Sequence, residues 1–367
     1  MSDAIVVGAG IVGLQAARHL AAAGLKVLVV ESRHVGAEAS SAAAGILAAQ
    51  AESDEESPLL PLALAAREHH ARLAPALEEE TGIAVDHSPR GLLTVAFTEE
   101  REAELLAKAG RQRALGLAVE VLGPEDVREA EPNLNPGVRR GLFFAGDHRV
   151  DNGRLTRALA ASAVGRGASL LTGRPAALWV ERGRVAGVRA GSETFLAPLV
   201  LNASGAWAGL LAGDPAPPPV EPIRGQIVAF DVSPPLLRHV VYSGHGYLVP
   251  RSDGRVLAGS TVERAGFDKS VTAGGLREVL DIALQIAPIL ADVRMADAWA
   301  GLRPGTPDEL PVLGAGAVSG LFHAGGLYRN GILLGPLVGE IAAELMLGRA
   351  PAIDVTPFAP GRFGPRS

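Results

Sequence analysis

The chain has 367 residues, which is long for a single domain and predicts about two or three. Hydrophobic residues make up 48% and charged residues 20%, so a large core can be buried and extended disorder is excluded. The net charge of −6 argues against a nucleic-acid partner, and the absence of cysteine excludes disulfides, thiolate metal sites and cysteine nucleophiles.

The start of the chain and its apolar stretches bear on location. Met1 to Asp3 lead directly into a predicted strand, without the basic region, apolar stretch and cleavage site of a signal peptide. Gly, Pro or charged residues interrupt every apolar stretch before the roughly 18 residues that a membrane span needs. We therefore expect a cytoplasmic protein without a membrane span.

The first thirty residues predict a β-α-β unit. Residues 4–7 form an apolar run of strand length, residues 10–23 have a helical pattern rich in Ala and Leu, and residues 26–30 form a second buried strand. Units of this kind occur in parallel sheets that are covered by helices. The predicted fold class is therefore α/β, with a parallel sheet at its centre.

The remaining elements follow in chain order. After a segment of small residues at 40–45 and an acidic loop at 52–56, the pattern predicts helices over residues 61–80, 151–166, 273–290 and 330–347. Apolar or alternating runs predict strands over residues 92–97, 169–171, 177–180, 184–190, 199–201, 226–230, 246–250, 255–259 and 321–324. We assign residues 92–97 to a second sheet, and the Pro-rich segment 215–222 to a crossing between domains.

The turn between the first strand and the first helix has the spacing of a dinucleotide-binding loop. Gly8 permits the tight turn, Gly10 lets a pyrophosphate approach the backbone, and Gly13 allows close packing of helix on strand. Glu31, at the end of the second strand, is placed to bind ribose hydroxyls and would repel a 2′-phosphate. Arg33 weakly favours the opposite interpretation, because a basic residue near this position can bind the 2′-phosphate of NADP. The turn does not distinguish FAD from NAD.

A second glycine-rich stretch imitates this spacing near the C-terminus. Gly314 and Gly316 are followed by Gly320, which comes one residue too late for the dinucleotide pattern. We predict that this stretch forms a surface turn.

Five segments together resemble a known family. They are the glycine turn and residues 40–46, 202–207, 299–306 and 328–334. This combination resembles the D-amino-acid-oxidase-like FAD-dependent amine oxidoreductases and, among them, the glycine oxidases of bacterial thiamine biosynthesis. The resemblance extends from about residue 4 to residue 347, and its last two segments are its most specific part.

The resemblance implies a fold and a cofactor. It implies FAD, bound non-covalently since no cysteine could link it, in a Rossmann-like domain with a parallel sheet built from residues 1–85, 145–215 and 300–367. Residues 86–144 and 216–299 would form a substrate-binding domain with a mixed or antiparallel sheet. It also implies a homo-oligomer, often a tetramer.

The resemblance further implies a reaction. Members of the family oxidise an amine α to a carboxylate, and the resulting imine hydrolyses to a 2-oxo acid and ammonia. Oxygen then takes up the electrons and forms hydrogen peroxide. The implied substrates are glycine, sarcosine and small D-amino acids. A dehydrogenase that uses another electron acceptor, and a regulator that only retains the fold, stay open as alternatives.

Four residues are the predicted contacts to the substrate. Arg303 matches the family's carboxylate-binding arginine. Arginine suits this task because its planar guanidinium can bind both oxygens of a carboxylate. Arg329 matches a second arginine near substrate and flavin, and Tyr247 an active-site tyrosine, although a structural role is the competing interpretation for both. His245 is a weaker candidate. No residue is assigned as a general acid or base.

The cofactor contacts come from six parts of the sequence. We expect the start of the helix at Asn330 and Gly331 to point its positive end at the flavin, with Gly331 leaving room for the ring. The complete set is Gly8, Gly10, Ile11, Val12, Gly13, Glu31, Ser32, Ser40, Ser41, Ala44, Gly45, Ile46, Ala177, Gly301, Leu327, Tyr328, Arg329, Asn330, Gly331, Ile332 and Leu333.

Two positions depart from the family pattern. Leu327 stands where the family has a histidine, and Val262 stands where relatives have a methionine close to the substrate. Both changes alter the expected lining of the pocket, so they affect the identity of the substrate more than the type of reaction.

Overall fold

The computed structural model describes residues 1–53 and 56–364. The middle of the predicted acidic loop 52–56 and the last three residues of the predicted segment 300–367 lie outside the described residues. The helices are α1 Ile11–Ala22, α2 Ala39–Ala42, α3 Leu59–Thr81, α4 Glu99–Ala114, α5 Pro124–Ala130, α6 Asn152–Gly165, α7 Ala273–Ile286 and α8 Gly331–Met346.

The strands fall along the whole chain. They are β1 Ala4–Val7, β2 Val27–Val30, β3 Ile46–Leu47, β4 Leu92–Ala96, β5 Glu120–Leu122, β6 Arg140–Phe144, β7 His148–Arg149, β8 Ser169–Leu171, β9 Ala176–Glu181, β10 Arg184–Ala190, β11 Glu193–Leu196, β12 Leu199–Asn202, β13 Glu221–Asp231, β14 Val240–Tyr242, β15 Tyr247–Pro250, β16 Arg255–Gly259, β17 Met295–Gly305, β18 Val312–Ala315 and β19 Leu321–Gly325. Short 3-10 helices include Gly205–Leu210, Pro288–Asp292 and Tyr328–Asn330.

The first sheet is parallel except at one edge, as the β-α-β start predicts. Its order in the described residues is β18-β19-β12-β1-β2-β8, and only β18 runs antiparallel to its neighbour. Side chains of β1 alternate between two cores: Ala4 and Val6 face helices α1, α3, α6 and α8, while Ile5 and Val7 face the other side. That other side is covered by the antiparallel sheet β11-β10-β9, so helices cover one face of the parallel sheet, whereas the sequence predicts a sheet covered by helices.

The second sheet is mixed and mostly antiparallel. Its order in the described part of the chain is β17-β13-β16-β15-β14-β4-β6-β5, and only β14 and β4 pair in parallel. Val228 and Phe230 of β13 pack with helix α7 on one face, while Ile227 and Ala229 face the opposite core. This alternation leaves one face of the sheet free to border a cavity.

Most predicted elements are confirmed, and some are wrong or were missed. The predicted surface turn at Gly314 to Gly320 is confirmed for residues 316–320, which connect β18 to β19, but Gly314 itself lies in edge strand β18, which pairs with β19. Helix α7 ends at Ile286 and not at residue 290, because Pro288 follows within two residues. The missed elements are α2, α4, α5, β3, β5, β6, β7, β11, β14, β17 and β18.

Two further points concern organisation. The predicted domain bounds stay a prediction, and strand β17 continues across the predicted bound between residues 299 and 300. Among the helices of the described residues, none combines the length and the apolar character needed to cross a membrane.

Candidate active site

One elongated cavity of about 700 Å³ lies between the two large sheets. At one end it is lined by the turn between β1 and α1, together with Glu31 at the end of β2. At the other end it is lined by residues of β13, β15 and β17 and by the start of α8. A cleft of this volume accommodates a cofactor-sized ligand. We call its two ends the nucleotide end and the substrate end.

The nucleotide end depends on glycine at positions where a side chain would collide with backbone. Gly8 has a φ of +107°, and a Cβ there would lie 2.5 Å from the carbonyl oxygen of Ala203. A Cβ at Gly13 would lie 2.1 Å from the carbonyl oxygen of Gly8. Helix α1 begins without a side-chain cap from Gly10. Its first turn can therefore face phosphate with backbone N–H groups.

Glu31 is held in place at this end by the backbone. Its Oε2 accepts a hydrogen bond from the Ala9 N–H at 2.9 Å, and its Oε1 accepts one from the Arg33 N–H at 2.8 Å. The guanidinium of Arg33 pairs with Glu38 at 2.9 Å. Because Arg33 is paired with Glu38, it no longer argues for a bound 2′-phosphate. The contact of Glu31 with ribose stays a prediction.

Arg303 lies on β17 at the substrate end, with its guanidinium over the backbone of Gly225. Its Nη1 donates to the carbonyl oxygens of Arg224 at 3.3 Å and Thr261 at 3.1 Å, and its Nη2 donates to Ser260 Oγ at 2.5 Å. Within residues 1–53 and 56–364, no carboxylate pairs with Arg303. A cation that is oriented by neutral oxygens and faces a cavity is prepared to bind an anion.

Tyr247 lies beside Arg303 in the same cavity. Its buried ring packs against Tyr242 with 5.5 Å between the ring centroids. Burial raises the pKa of Tyr247, and the charge of Glu52 adds to this rise. The charges of Arg303 and Arg329 lower the pKa and offset only part of the rise. The hydroxyl therefore stays protonated at neutral pH and can donate a hydrogen bond into the cavity.

Arg329 is paired with Glu52, a carboxylate that no sequence motif marks as part of a site. Its Nη2 lies 3.0 Å from Oε1 of Glu52, and this carboxylate raises the pKa of Arg329. Tyr242 donates its hydroxyl proton to the same oxygen of Glu52, and burial raises the pKa of Tyr242 well above its usual value. Glu52 and Arg329 are 277 residues apart, so no local pattern could join them.

The structure brings most of the predicted site residues together. Those that line the cavity are Gly8, Gly10, Ile11, Val12, Glu31, Ser32, Ser40, Ala44, Gly45, Ile46, Tyr247, Gly301, Arg303, Leu327, Tyr328, Arg329, Gly331 and Ile332. Leu327, one of the two departures from the family pattern, is thus part of the lining, whereas Val262 is 53% exposed and lies outside it.

Other predicted residues lie beside the cavity without lining it. They are Gly13, Ser41, Ala177, His245, Asn330 and Leu333. Pro175 and Ala176 take the place predicted for Ala177, because alternate residues of strand β9 point to opposite faces. His245 is exposed in the turn between β14 and β15. The lining residues that were missed include Glu38, Glu52, Trp207, Tyr242, Ser260 and Lys269.

The start of helix α8 tests whether the cavity fits a flavin. No side chain caps this helix, and Gly331, its first residue, lines the cavity. A Cβ at Gly331 would meet nothing closer than the Leu327 Cβ at 4.0 Å, so the space beside Gly331 is open. The starts of helices α1 and α8 thus border one cavity. This arrangement fits a ligand with a pyrophosphate and a ring that becomes negative on reduction.

Comparison with protein families decides the assignment. A family model described as FAD dependent oxidoreductase (DAO) matches residues 3–345. The chain belongs to this family. FAD is therefore the cofactor of this oxidoreductase, and the fit of the cavity agrees with it.

Individual relatives extend the comparison. The chain is 36% identical to the glycine oxidase of Geobacillus kaustophilus (strain HTA426), covering 97% of this chain and 96% of that protein. It is 34% identical to the glycine oxidase of Pseudomonas putida (strain KT2440), covering 98% and 99%.

Solved structures show the same fold. Glycine oxidase from Geobacillus kaustophilus superimposes with a TM-score of 0.93 at 36% identity, covering 98% of both chains. Iminodiacetate oxidase from Chelativorans sp. BNC1 gives 0.90 at 27% identity, covering 97% of this chain and 98% of that one. L-proline dehydrogenase from P. horikoshii gives 0.88 at 26% identity, covering 99% and 97%.

Proposed function

We propose that this flavoprotein oxidises glycine or a similarly small amine-bearing carboxylate, such as sarcosine or a small D-amino acid. The observation that carries the proposal is Arg303, a cation without a carboxylate partner among the described residues, which faces the cavity beside Tyr247. The glycine oxidases to which the chain is similar support the same substrate class.

The reaction removes two electrons and two protons from the C–N unit of the substrate. The resulting imine is hydrolysed to a 2-oxo acid and ammonia, which gives glyoxylate when the substrate is glycine. FAD supplies the two-electron acceptor, and oxygen, as the final acceptor, is reduced to hydrogen peroxide.

The side chains at the substrate end bind and orient. The fork of Arg303 binds both oxygens of the substrate carboxylate, and the protonated hydroxyl of Tyr247 donates a further hydrogen bond to it. Ser260 and the carbonyl oxygen of Thr261 keep the guanidinium in one orientation through direct hydrogen bonds. We assign no acid or base, because a neutral amine can transfer hydride without one.

The biosynthetic pathway that uses the product is a further part of the proposal. The resemblance to glycine oxidases implies that the product feeds thiazole formation in thiamine biosynthesis. A complementation assay tests the assignment to this pathway. The gene should restore growth without thiamine to a bacterium that lacks its own glycine oxidase. Failure of an expressed, flavin-loaded protein to restore growth would contradict it.

A peroxide assay tests the activity. The purified holoenzyme is incubated with glycine, sarcosine and D-alanine under air, and hydrogen peroxide is followed with a coupled peroxidase. We expect peroxide with at least one of these substrates and none with acetate, which has no amine. Absence of peroxide with all three amines contradicts an oxidase.

A dehydrogenase is the second candidate function, favoured by the similarity to L-proline dehydrogenase. It would oxidise the same class of substrate but pass the electrons to a quinone or a protein partner. Turnover with an artificial electron acceptor far above turnover with oxygen would favour the dehydrogenase, and the reverse ratio favours the oxidase.

A further inference from the structure

The pair of Glu52 and Arg329 has no task in the proposed reaction. One substrate carboxylate needs one cationic partner, and Arg303 supplies it. Yet the substrate end also contains Arg329, at 3.0 Å from Glu52, and the charges of all three side chains act on Tyr247. With Glu52 ionised, the three charges sum to +1, which matches a single carboxylate.

The rest of the cavity does not alter this charge count. The other charged residues that line it are Glu31, Arg33, Glu38 and Lys269. Glu38 pairs with both Arg33 at 2.9 Å and Lys269 at 2.8 Å, and Glu31 is bound by backbone N–H groups. These contacts involve the segments after β2 and β16 and none of the three charges at the substrate end.

The position of Glu52 is fixed by a buried anchor. Just before it, the backbone N–H groups of Gln50 and Ala51 donate to the carboxylate of Asp147 at 3.1 and 2.8 Å. Asp147 is completely buried. On the other side, the hydroxyl of Tyr242 donates to the carboxylate of Glu52. Glu52 is therefore directed at Arg329 by contacts on both sides.

We propose that Glu52 restricts the enzyme to substrates with one carboxylate, by neutralising Arg329 and repelling a second anionic group. The inference rests on the proposed function and concerns its substrate class. A dicarboxylate analogue of glycine would place its second carboxylate near Glu52, where like charges repel and no free cation is available. Without the charge of Glu52, the site would carry +2 and match a dianion. The restriction is therefore a repulsive element in substrate choice.

The variant Glu52→Gln tests this inference with an almost unchanged side-chain shape. The ratio of kcat/KM for iminodiacetate to that for glycine is measured in the wild type and in the variant. We expect this ratio to rise by about tenfold, which corresponds to about 1.4 kcal/mol. A rise of about threefold or more supports the inference, and a smaller change overturns it.

Two further variants separate the charge of Glu52 from general effects. Asp231→Asn removes a carboxylate from an exposed pair with Arg294 far from the cavity lining, and it should leave the ratio within about twofold of the wild type. The double variant Glu52→Gln, Arg329→Met should lose the gain for iminodiacetate, because Arg303 is then the one cation left at the substrate end to bind two carboxylates. A gain that persists in the double variant overturns the role of Arg329.

A binding measurement keeps the test independent of turnover. Acetate and malonate are titrated against the visible absorption spectrum of the bound flavin in the wild type and in Glu52→Gln. The ratio of the malonate Kd to the acetate Kd should fall by about tenfold in the variant. An equal ratio in both proteins overturns the inference. If the wild type oxidised no amine, the proposed function would fail, while this titration would still decide the role of Glu52.

Discussion

The two ends of the cavity are built in different ways. The nucleotide end uses backbone: glycines that permit close approach, the start of helix α1, and Glu31 held by N–H groups within 22 residues of it. The substrate end uses side chains, namely Glu52, Tyr242, Tyr247, Arg303 and Arg329, which four separate parts of the chain supply. The nucleotide end is therefore encoded within one short stretch of sequence, whereas the substrate end is assembled only when the chain folds.

Loss of Arg303 is the largest change we predict, and it should affect the substrate end alone. Arg303→Ala should weaken binding of the substrate carboxylate by about 2–5 kcal/mol, since the anion would be left without its partner. Steady-state kinetics should show this as a rise in KM, with the flavin content unchanged. Arg294→Ala, at an exposed position 73% accessible in its side chain, is the matched control. An unchanged KM in Arg303→Ala would refute the role of Arg303.

A methyl group at Gly13 should instead affect the nucleotide end. The added Cβ would lie 2.1 Å from the carbonyl oxygen of Gly8, so the turn must shift. We expect Gly13→Ala to cost about 1–3 kcal/mol of stability and to lower the FAD content of the purified protein. Gly110→Ala in helix α4 is the control, because a Cβ there meets nothing within 4 Å. Full retention of FAD in Gly13→Ala would contradict the statement that the nucleotide end depends on its glycine backbone.

His70 offers a test of the helix that borders the cavity. Pro336 has no N–H, so the carbonyl oxygen of Ile332 lacks its partner within helix α8. The Nε2–H of the buried His70 donates to this oxygen at 2.9 Å and to that of Leu333 at 3.1 Å. His70→Ala should cost about 1–3 kcal/mol of stability, because it leaves the buried carbonyl unpaired.

The variant His70→Gln, which can retain a donor, should restore part of that loss. Chemical unfolding monitored by circular dichroism measures the stability, and flavin fluorescence reports whether the start of α8 still contacts the cofactor. Equal stability of the wild type and His70→Ala would show that the helix start needs no external donor.

A pH dependence of stability follows from the same histidine. Burial lowers the pKa of His70 from 6.5 to about 4, so the unfolded chain binds a proton at His70 between these values and the folded chain does not. As the pH falls from 6.5 to 4, folding therefore loses up to about 1.4 kcal/mol per pH unit from this group. Burial raises the pKa of Asp147 to about 6, and its contribution runs in the opposite direction.

The difference between the wild type and His70→Gln isolates the histidine, because both proteins contain Asp147. Unfolding free energies measured from pH 4 to pH 7 should fall more steeply in the wild type on acidification. Parallel pH profiles would contradict the assignment of His70.

The sequence predicts the nucleotide end better than the substrate end for a physical reason. Gly8, Gly10, Gly13 and Glu31 lie within one β-α-β unit, whose geometry follows from local spacing. The pairing of Glu52 with Arg329 depends on how two segments 277 residues apart meet, and no periodicity encodes it. Arg303 was predicted through resemblance to a family and not through spacing.

Strand orientation accounts for the smaller errors. Ala177 was expected at the cofactor, but alternation along β9 places Ala176 there. His245 follows the same logic: the turn after β14 points it to solvent, while Tyr247 two residues later is buried in β15. A shift of one or two residues thus decides whether a side chain enters the cavity.

We propose that bound FAD takes electrons from a small amine whose carboxylate is held at the substrate end. The visible absorption spectrum of the purified holoenzyme, recorded without oxygen before and after addition of glycine, tests it most directly. We expect the flavin's long-wavelength absorbance to be lost with glycine and to return when air is admitted. A spectrum that glycine, sarcosine and D-alanine all leave unchanged would contradict it.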